Sequence, residues 1–257
     1  MSRPGRAGAT DWEVGIVVPA RDEERLIRRC LTALSTACTR LLAERPLTRV
    51  RTVAVLDSCT DRTAEIVAEF PEVTAVTIRA GRVGTARAAG IAALAGDVCG
   101  PRGPRGPRAA RTARRTWIAS TDADSAVPES WLVDQLALAD TGVELVTGFV
   151  TTDLSDTPPA VRGLAPTRTH LQDGHPYVYG ANLGFTLQTY LDVGGIAPLR
   201  AHEDVAFVEH ARRHGVRCHA SGSICVLTSG RTEGRTPQGY ATYLRDLAAP
   251  DLASESA

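Results

Sequence analysis

A chain of 257 residues with 43% hydrophobic content suits one large α/β domain or two small ones and is long enough to bury a sizeable core. Its 29 basic and 29 acidic residues cancel, which removes any overall electrostatic bias toward nucleic acid or membrane. Every basic residue is Arg, a compositional bias without functional weight, and the six cysteines (Cys30, Cys38, Cys59, Cys99, Cys218, Cys225) have neither zinc-site spacing nor the density of a disulfide scaffold, so a reduced, cytoplasmic setting is expected.

The segment MSRPGRAGATDW lacks the apolar core of a signal peptide, and residues 1–12 are expected to be a flexible tail. No later window has the apolar length needed to span a bilayer, which leaves peripheral membrane contact at most. WEVGIVVP reads as a first strand ending at Pro19, and Ile27, Leu31, Leu34, Cys38 and Leu41 mark a helix after it. VRTVAVLD is a second strand stopping at Asp57, followed by a helix with Asp61 as its N-cap. EVTAVTI and VGTARAAGIAALAG repeat the strand and helix. This alternation of apolar strands and amphipathic helices implies a mostly parallel sheet covered on both faces.

Cys99 to Arg115, CGPRGPRGPRAARTARR, breaks the pattern and is expected to be a disordered loop that buries nothing. Its arginines raise the possibility of docking on an anionic polymer or lipid, against the plainer reading of a solvated insertion. TWIAST then resumes as a strand, PESWLVDQLALAD as a helix with Pro128 near its start, and VELVTGFV as a strand. After a polar connection, HPYVYGANLGFTLQTYLDVGG reads as strand and helix ending at Gly194 and Gly195. EDVAFVEHARRHG is a helix with acids in its first turn, VRCHAS and SICVLTS are two late strands, and PQGYATYLRDLA is a terminal helix.

In open α/β sheets ligands sit outside the carboxyl ends of the strands. PARDEE, LDSCTD and TDADS each follow such an end, so three acidic clusters distant in sequence should converge on one edge. Converging carboxylates repel unless a cation shares them, and an all-oxygen donor set points to Mg²⁺ or Mn²⁺, metals that accompany phosphate.

The ordered set VVPARDEE, VAVLDSCTDRTAEI, GRVGTARAAGIAAL, WIASTDADSAVPESWL, GANLGF and GGIAPLRAHEDVAF, from about Val14 to Thr228, resembles glycosyltransferase family 2, nucleotide-sugar transferases of the GT-A fold. The resemblance implies a single Rossmann-like globular domain: a nucleotide-sugar-binding half at 13–130, an acceptor-binding half at 131–230, and a C-terminal helix and tail at 231–257. It implies nucleotide contacts at Pro19, Ala20, Arg21, Glu23, Asp57, Arg87 and Asp122, a Mn²⁺ or Mg²⁺ ion at Asp122 and Asp124, and a catalytic base at Asp204. The expected partners are a nucleotide-diphosphate sugar donor and an unidentified hydroxyl acceptor, with no nucleic acid.

Other residues are read both ways. Glu203 and Asp204 are also what a helix favours in its first turn, and Arg231 and Arg235 suit either a pyrophosphate clamp or a tail. Asn182 is expected to meet the acceptor, and His219 to be structural. Leu56, Asp22 and Ala88 depart from the family pattern and leave the nucleotide open. The Gln-x-x-Arg-Trp element and membrane helices of processive synthases are missing, which argues for transfer of a single sugar. Two other readings stand beside this one: a sugar-phosphate nucleotidyltransferase, for which VVPARDEE lacks the glycine-rich phosphate loop, and a degenerate, non-catalytic binding domain.

Overall fold

EVGIVVPA forms β1 (Glu13–Ala20), and its side chains alternate between two cores, with Val14, Ile16 and Val18 in one and Val17 in the other. The computed structural model describes residues 12–96, 99–100, 103–104, 107–199, 201–235 and 238–247. Of the expected tail, residues 1–11 lie outside these. Trp12 is buried: its Nε1 donates to Asp140 Oδ1 at 2.8 Å and its ring stands edge-on to Trp117.

α1 (Ile27–Glu44) buries Ile27, Cys30, Leu31, Leu34, Ala37 and Leu41, a stripe of helical period. β2 (Arg49–Asp57), α2 (Thr63–Ala68), β3 (Val73–Ile78) and α3 (Val83–Ala95) repeat the unit, and β1, β2 and β3 pair in parallel. α3 lies so close on the sheet that a Cβ at Gly90 would come within 2.6 Å of Val17 Cγ1, which reserves the position for glycine.

The stretch from Cys99 to Arg115 departs from the disordered loop expected of it. β4 (Cys99–Gly100) and β5 (Gly103–Pro104) pair antiparallel, and Pro107–Arg115 forms α4. Composition suggested that nothing here is buried, yet Ala113 is fully enclosed in the second core while Arg108, Arg111 and Arg114 stay exposed. One small apolar anchor and good helix formers are enough to dock the segment.

β6 (Thr116–Ser120) is buried throughout and pairs in parallel with β1. β7 (Ser125–Ala126), α5 (Trp131–Asp140), β8 (Leu145–Asp153) and α6 (Pro159–Arg162) follow, then a 3₁₀ turn at Gly180–Asn182, β9 (Leu183–Thr186), α7 (Leu187–Asp192) and α8 (Glu203–Arg213). The two late strands expected are one, β10 (Cys218–Ser229), whose pairing with β8 shifts register between Ala220 and Cys225. α9 (Tyr240–Leu247) ends the described chain.

One mixed sheet results, in the order β3-β2-β1-β6-β9-β8-β10-β7, with β9 antiparallel to both neighbours. α1 and α5 cover one face, and α3, α7 and α8 the other. Among the described residues no helix is long and apolar enough to cross a membrane.

Candidate active site

Because β1, β2 and β6 run in parallel, their carboxyl ends share one edge, and a cavity of about 470 Å³ opens there. Pro19, Ala20, Arg21, Glu23, Asp57, Arg87, Asp122, Asp124 and Asp204 all line it, joined by Arg231 and Arg235 from beyond β10. Among the described residues, the non-glycine positions with positive φ are Asp22 (51°), Ser58 (58°), His202 (58°) and Gln238 (59°). His202 and Gln238 line the cavity, and Asp22 and Ser58 adjoin residues that do. Backbone in this region persists only where the surroundings hold it, as they do around binding sites.

The TDAD turn is gripped from outside. Cys30 Sγ donates to the Asp122 carbonyl at 3.3 Å, Arg29 Nη2 donates to the Asp124 carbonyl at 3.1 Å, and Ser125 Oγ donates to Thr228 Oγ1 at 2.9 Å. With the backbone so fixed, the two carboxylates are presented to the cavity. Arg87 reaches Asp122 from α3. Its Nη2 donates to Asp122 Oδ1 at 2.5 Å, its Nε to Ser120 Oγ at 3.2 Å, and its Nη1 to Glu203 Oε1. Gly180 lies against the same guanidinium, where a Cβ would collide with it. Burial pushes the carboxyls of Asp122 and Glu203 above their ordinary range, and Arg87 pulls both back.

Arg231 is a second counter-ion. Its Nη1 and Nη2 hold Glu23 in a bidentate pair at 2.8 and 2.6 Å, and Nη2 also donates to Asp124 Oδ2 at 2.7 Å. Arg235 adds a bond from Nη1 to Glu23 Oε1 at 3.1 Å. Burial raises the Asp124 carboxyl pKa, Arg231 opposing it and Glu23 adding to it.

Asp57 is buried at the end of β2 and organises the loop that leads into α3. Its Oδ1 accepts the N–H groups of Ala80 and Gly81 at 2.8 and 3.0 Å, and its Oδ2 that of Arg82 at 3.1 Å. Burial works to raise its pKa, but these bonds prevail and hold it below the ordinary 3.8. A depressed folded-state value means that the ionised group contributes stability above the unfolded value, lost as pH falls through the folded one. Asp57→Asn is therefore expected to cost about 1–3 kcal/mol at neutral pH. In thermal melts across pH, the gap to wild type should close below the ordinary value of 3.8; a gap independent of pH would contradict this role.

Asp204 stands in the first turn of α8, where its Oδ2 accepts the Gly180 N–H at 2.7 Å and its Oδ1 the Val205 N–H at 2.8 Å. Glu203 turns away from it into the buried pair with Arg87, a partnership that its place in a helix first turn did not signal. Asn182, expected to meet the acceptor, does not line the cavity. It is buried, with Nδ2 donating to the carbonyls of Phe149 and Ile224 at 2.8 and 2.9 Å and Oδ1 accepting from Trp131 Nε1 at 3.0 Å. His219 lies off the cavity, 3.5 Å from Asp173.

Among the described residues six carboxylates and five guanidinium groups line the cavity, so these acids are nearly balanced by arginine. The repulsion that pointed to a metal is thus relieved by Arg87 and Arg231. A nucleoside diphosphate would bring fresh negative charge into this nearly balanced site, and a divalent cation would meet it. The donor chemistry fits such an ion in one form. Among the described residues no three His, Cys, Asp or Glu groups are placed to hold a metal together. Asp122 and Asp124 suit a Mg²⁺-type ion held by one or two carboxylates and completed by substrate phosphates.

No protein-family model and no curated protein matches the chain. Solved structures do. TarS of S. aureus superposes with a TM-score of 0.61 at 14% identity, over 84% of this chain and 36% of that one. GalNAc-T7, solved with UDP, GalNAc and Mn²⁺, gives 0.59 at 12% identity over 89% and 47%. The mannosyltransferase PcManGT of Pyrobaculum calidifontis, solved with GDP-Man and Mn²⁺, gives 0.52 at 17% over 91% and 60%. The chain thus spans between about a third and three fifths of these proteins, and likeness at such identity speaks for architecture. By these superpositions the chain has the GT-A fold.

Proposed function

We propose that the chain is a metal-dependent, inverting glycosyltransferase of the family 2 type, which moves one sugar from a nucleotide-diphosphate sugar to a hydroxyl acceptor. The observation that carries the reading is the meeting of Pro19, Ala20, Arg21, Glu23, Asp57, Arg87, Asp122, Asp124 and Asp204, drawn from segments remote from one another in sequence, around one cavity. GalNAc-T7 with UDP and Mn²⁺ and PcManGT with GDP-Man and Mn²⁺ share the fold and support the donor class.

In this reading the Pro19–Glu23 segment and the loop built on Asp57 receive the nucleotide. Asp122 and Asp124 would hold Mn²⁺ or Mg²⁺, whose charge, when bound, offsets that developing on the leaving diphosphate. Arg87 keeps Asp122 in place, and Arg231, released from Glu23 and Asp124, has the fork geometry to meet a phosphate. Asp204 accepts the proton of the acceptor hydroxyl as its oxygen bonds to the anomeric carbon, while the bond from that carbon to phosphate oxygen breaks and its electron pair leaves with the nucleoside diphosphate. Displacement from the face opposite the leaving group inverts the anomeric centre.

The test is thermal melting with Mn²⁺ and a panel of UDP- and GDP-sugars. A donor present at about a hundred times its Kd stabilises by about 2.7 kcal/mol and should raise Tm by about 5–10 °C. An unchanged Tm with every donor would count against the proposal. Arg231→Ala should gain more Tm from Mn²⁺ alone than wild type does, because Glu23 and Asp124 lose the guanidinium that occupies them; equal gains would show that the arginine and the ion do not compete.

A further inference from the structure

Four of the chain's five tyrosines, Tyr177, Tyr179, Tyr240 and Tyr243, line the cavity, in a protein only 5% aromatic. Two periodicities assemble them. HPYVY is extended at Tyr179 (φ −133°, ψ 124°), and alternate side chains of extended backbone share a face. In α9, Tyr240 and Tyr243 are three residues apart and therefore neighbours on the helix surface. The rings form a continuous wall: Tyr177 stacks on Tyr179 with centroids 6.2 Å apart and planes at 21°, Tyr179 meets Tyr240 edge-on at 6.2 Å, and Tyr240 lies 5.8 Å from Tyr243.

Core packing accounts for only half of this wall: Tyr179 and Tyr240 rest against the first core, with the Tyr240 hydroxyl 2.7 Å from Thr152 Oγ1, and they leave Tyr177 and Tyr243 unexplained. Phe185, Tyr190 and Phe207 cluster with the second core, but Tyr177 and Tyr243 remain 39% and 48% exposed. The wall also borders the proposed base, since Gly180, directly after Tyr179, donates its N–H to Asp204. Carboxylates and guanidinium groups from other segments supply the charged part of the cavity, so the tyrosines suit a different part of a bound ligand.

We propose that this wall is the acceptor subsite and that the acceptor is a saccharide or glycoside, its pyranose ring lying on the tyrosine faces with one hydroxyl directed to Asp204. The inference rests on the transferase reading and names its acceptor class. A pyranose has a C–H-rich face and a rim of hydroxyls, which match the apolar body and hydroxyl tip of tyrosine. A phosphate or carboxylate group would instead favour the guanidinium forks. A nucleobase is also flat, and the experiment separates it.

The experiment is saturation-transfer NMR on the full chain with Mn²⁺ and UDP or GDP present, using the methyl glycosides of glucose, galactose, mannose and N-acetylglucosamine as probes. At least one glycoside should receive saturation, strongest at its ring C–H protons. The signal should drop at least about fivefold in Tyr177→Ala/Tyr243→Ala and persist in Tyr177→Phe/Tyr243→Phe, with the nucleotide Kd the same in all three proteins; the exposure of both rings lets these variants fold. A wild type that binds nucleotide but transfers saturation to no glycoside overturns the acceptor class. A weakened nucleotide Kd in the Ala variant assigns the wall to the base and overturns the subsite. If wild type binds no nucleotide at all, the transferase reading itself fails.

Discussion

Arg87→Met should lower the stability of the fold by about 3–5 kcal/mol, the cost of leaving buried charge without its partner, and abolish transfer. Arg87 is 3% exposed and bridges Asp122 to Glu203, so its removal strands two carboxylates whose pKa values burial already raises. A loss of that size is a large fraction of the stability of a typical domain. Adding Glu203→Gln to Arg87→Met should recover part of it, because one of the stranded charges is then gone. Arg87→Lys should not rescue, since an ammonium cannot span the two acids and Ser120 as the guanidinium fork does. Urea unfolding of the single and double variants measures the coupling. Purely additive losses would contradict the bridge.

Asp204→Asn tests chemistry with little change in structure. The amide oxygen can keep the Gly180 N–H but not the Val205 N–H as well, so melting should show a loss of about 1 kcal/mol while nucleotide affinity stays near that of wild type. The rate of sugar transfer should fall by about 10²–10⁴, the usual contribution of a positioned general base. A variant that is folded, binds nucleotide and turns over at the wild-type rate would remove Asp204 from its assigned role.

Much of this site is legible in the sequence because parallel strands place their ends together whatever the connecting loops do. Once β1, β2 and β6 are recognised from their apolar runs, Glu23, Asp57 and Asp122 must share an edge. What closes the site is not legible in the same way. Arg231 pairs with Glu23 across 208 residues, and no local pattern marks which arginine of a chain rich in them will make that bond. The same holds for Glu203, whose place in a helix first turn suggests solvent exposure, while its side chain is buried against Arg87. The glycines of GANLGF suggested close approach to a ligand, whereas Gly180 packs on the Arg87 guanidinium and Gly184 on Gln135 and Trp117, while Asn182 is buried in hydrogen bonds to Phe149, Ile224 and Trp131. In α4 a single buried Ala113 outweighs a composition that reads as coil. The tyrosine wall did carry a signal, alternation in HPYVY and three-residue spacing in YATY, which gains meaning once α9 is seen to border the cavity.

Release of nucleoside diphosphate from a panel of nucleotide sugars, with Mn²⁺ and without acceptor, tests most directly whether the converging acids form a donor site. Slow, metal-dependent release from at least one donor is expected, and it should be lost in Asp124→Asn. A folded wild type that neither binds nor hydrolyses any donor in the panel would contradict the account.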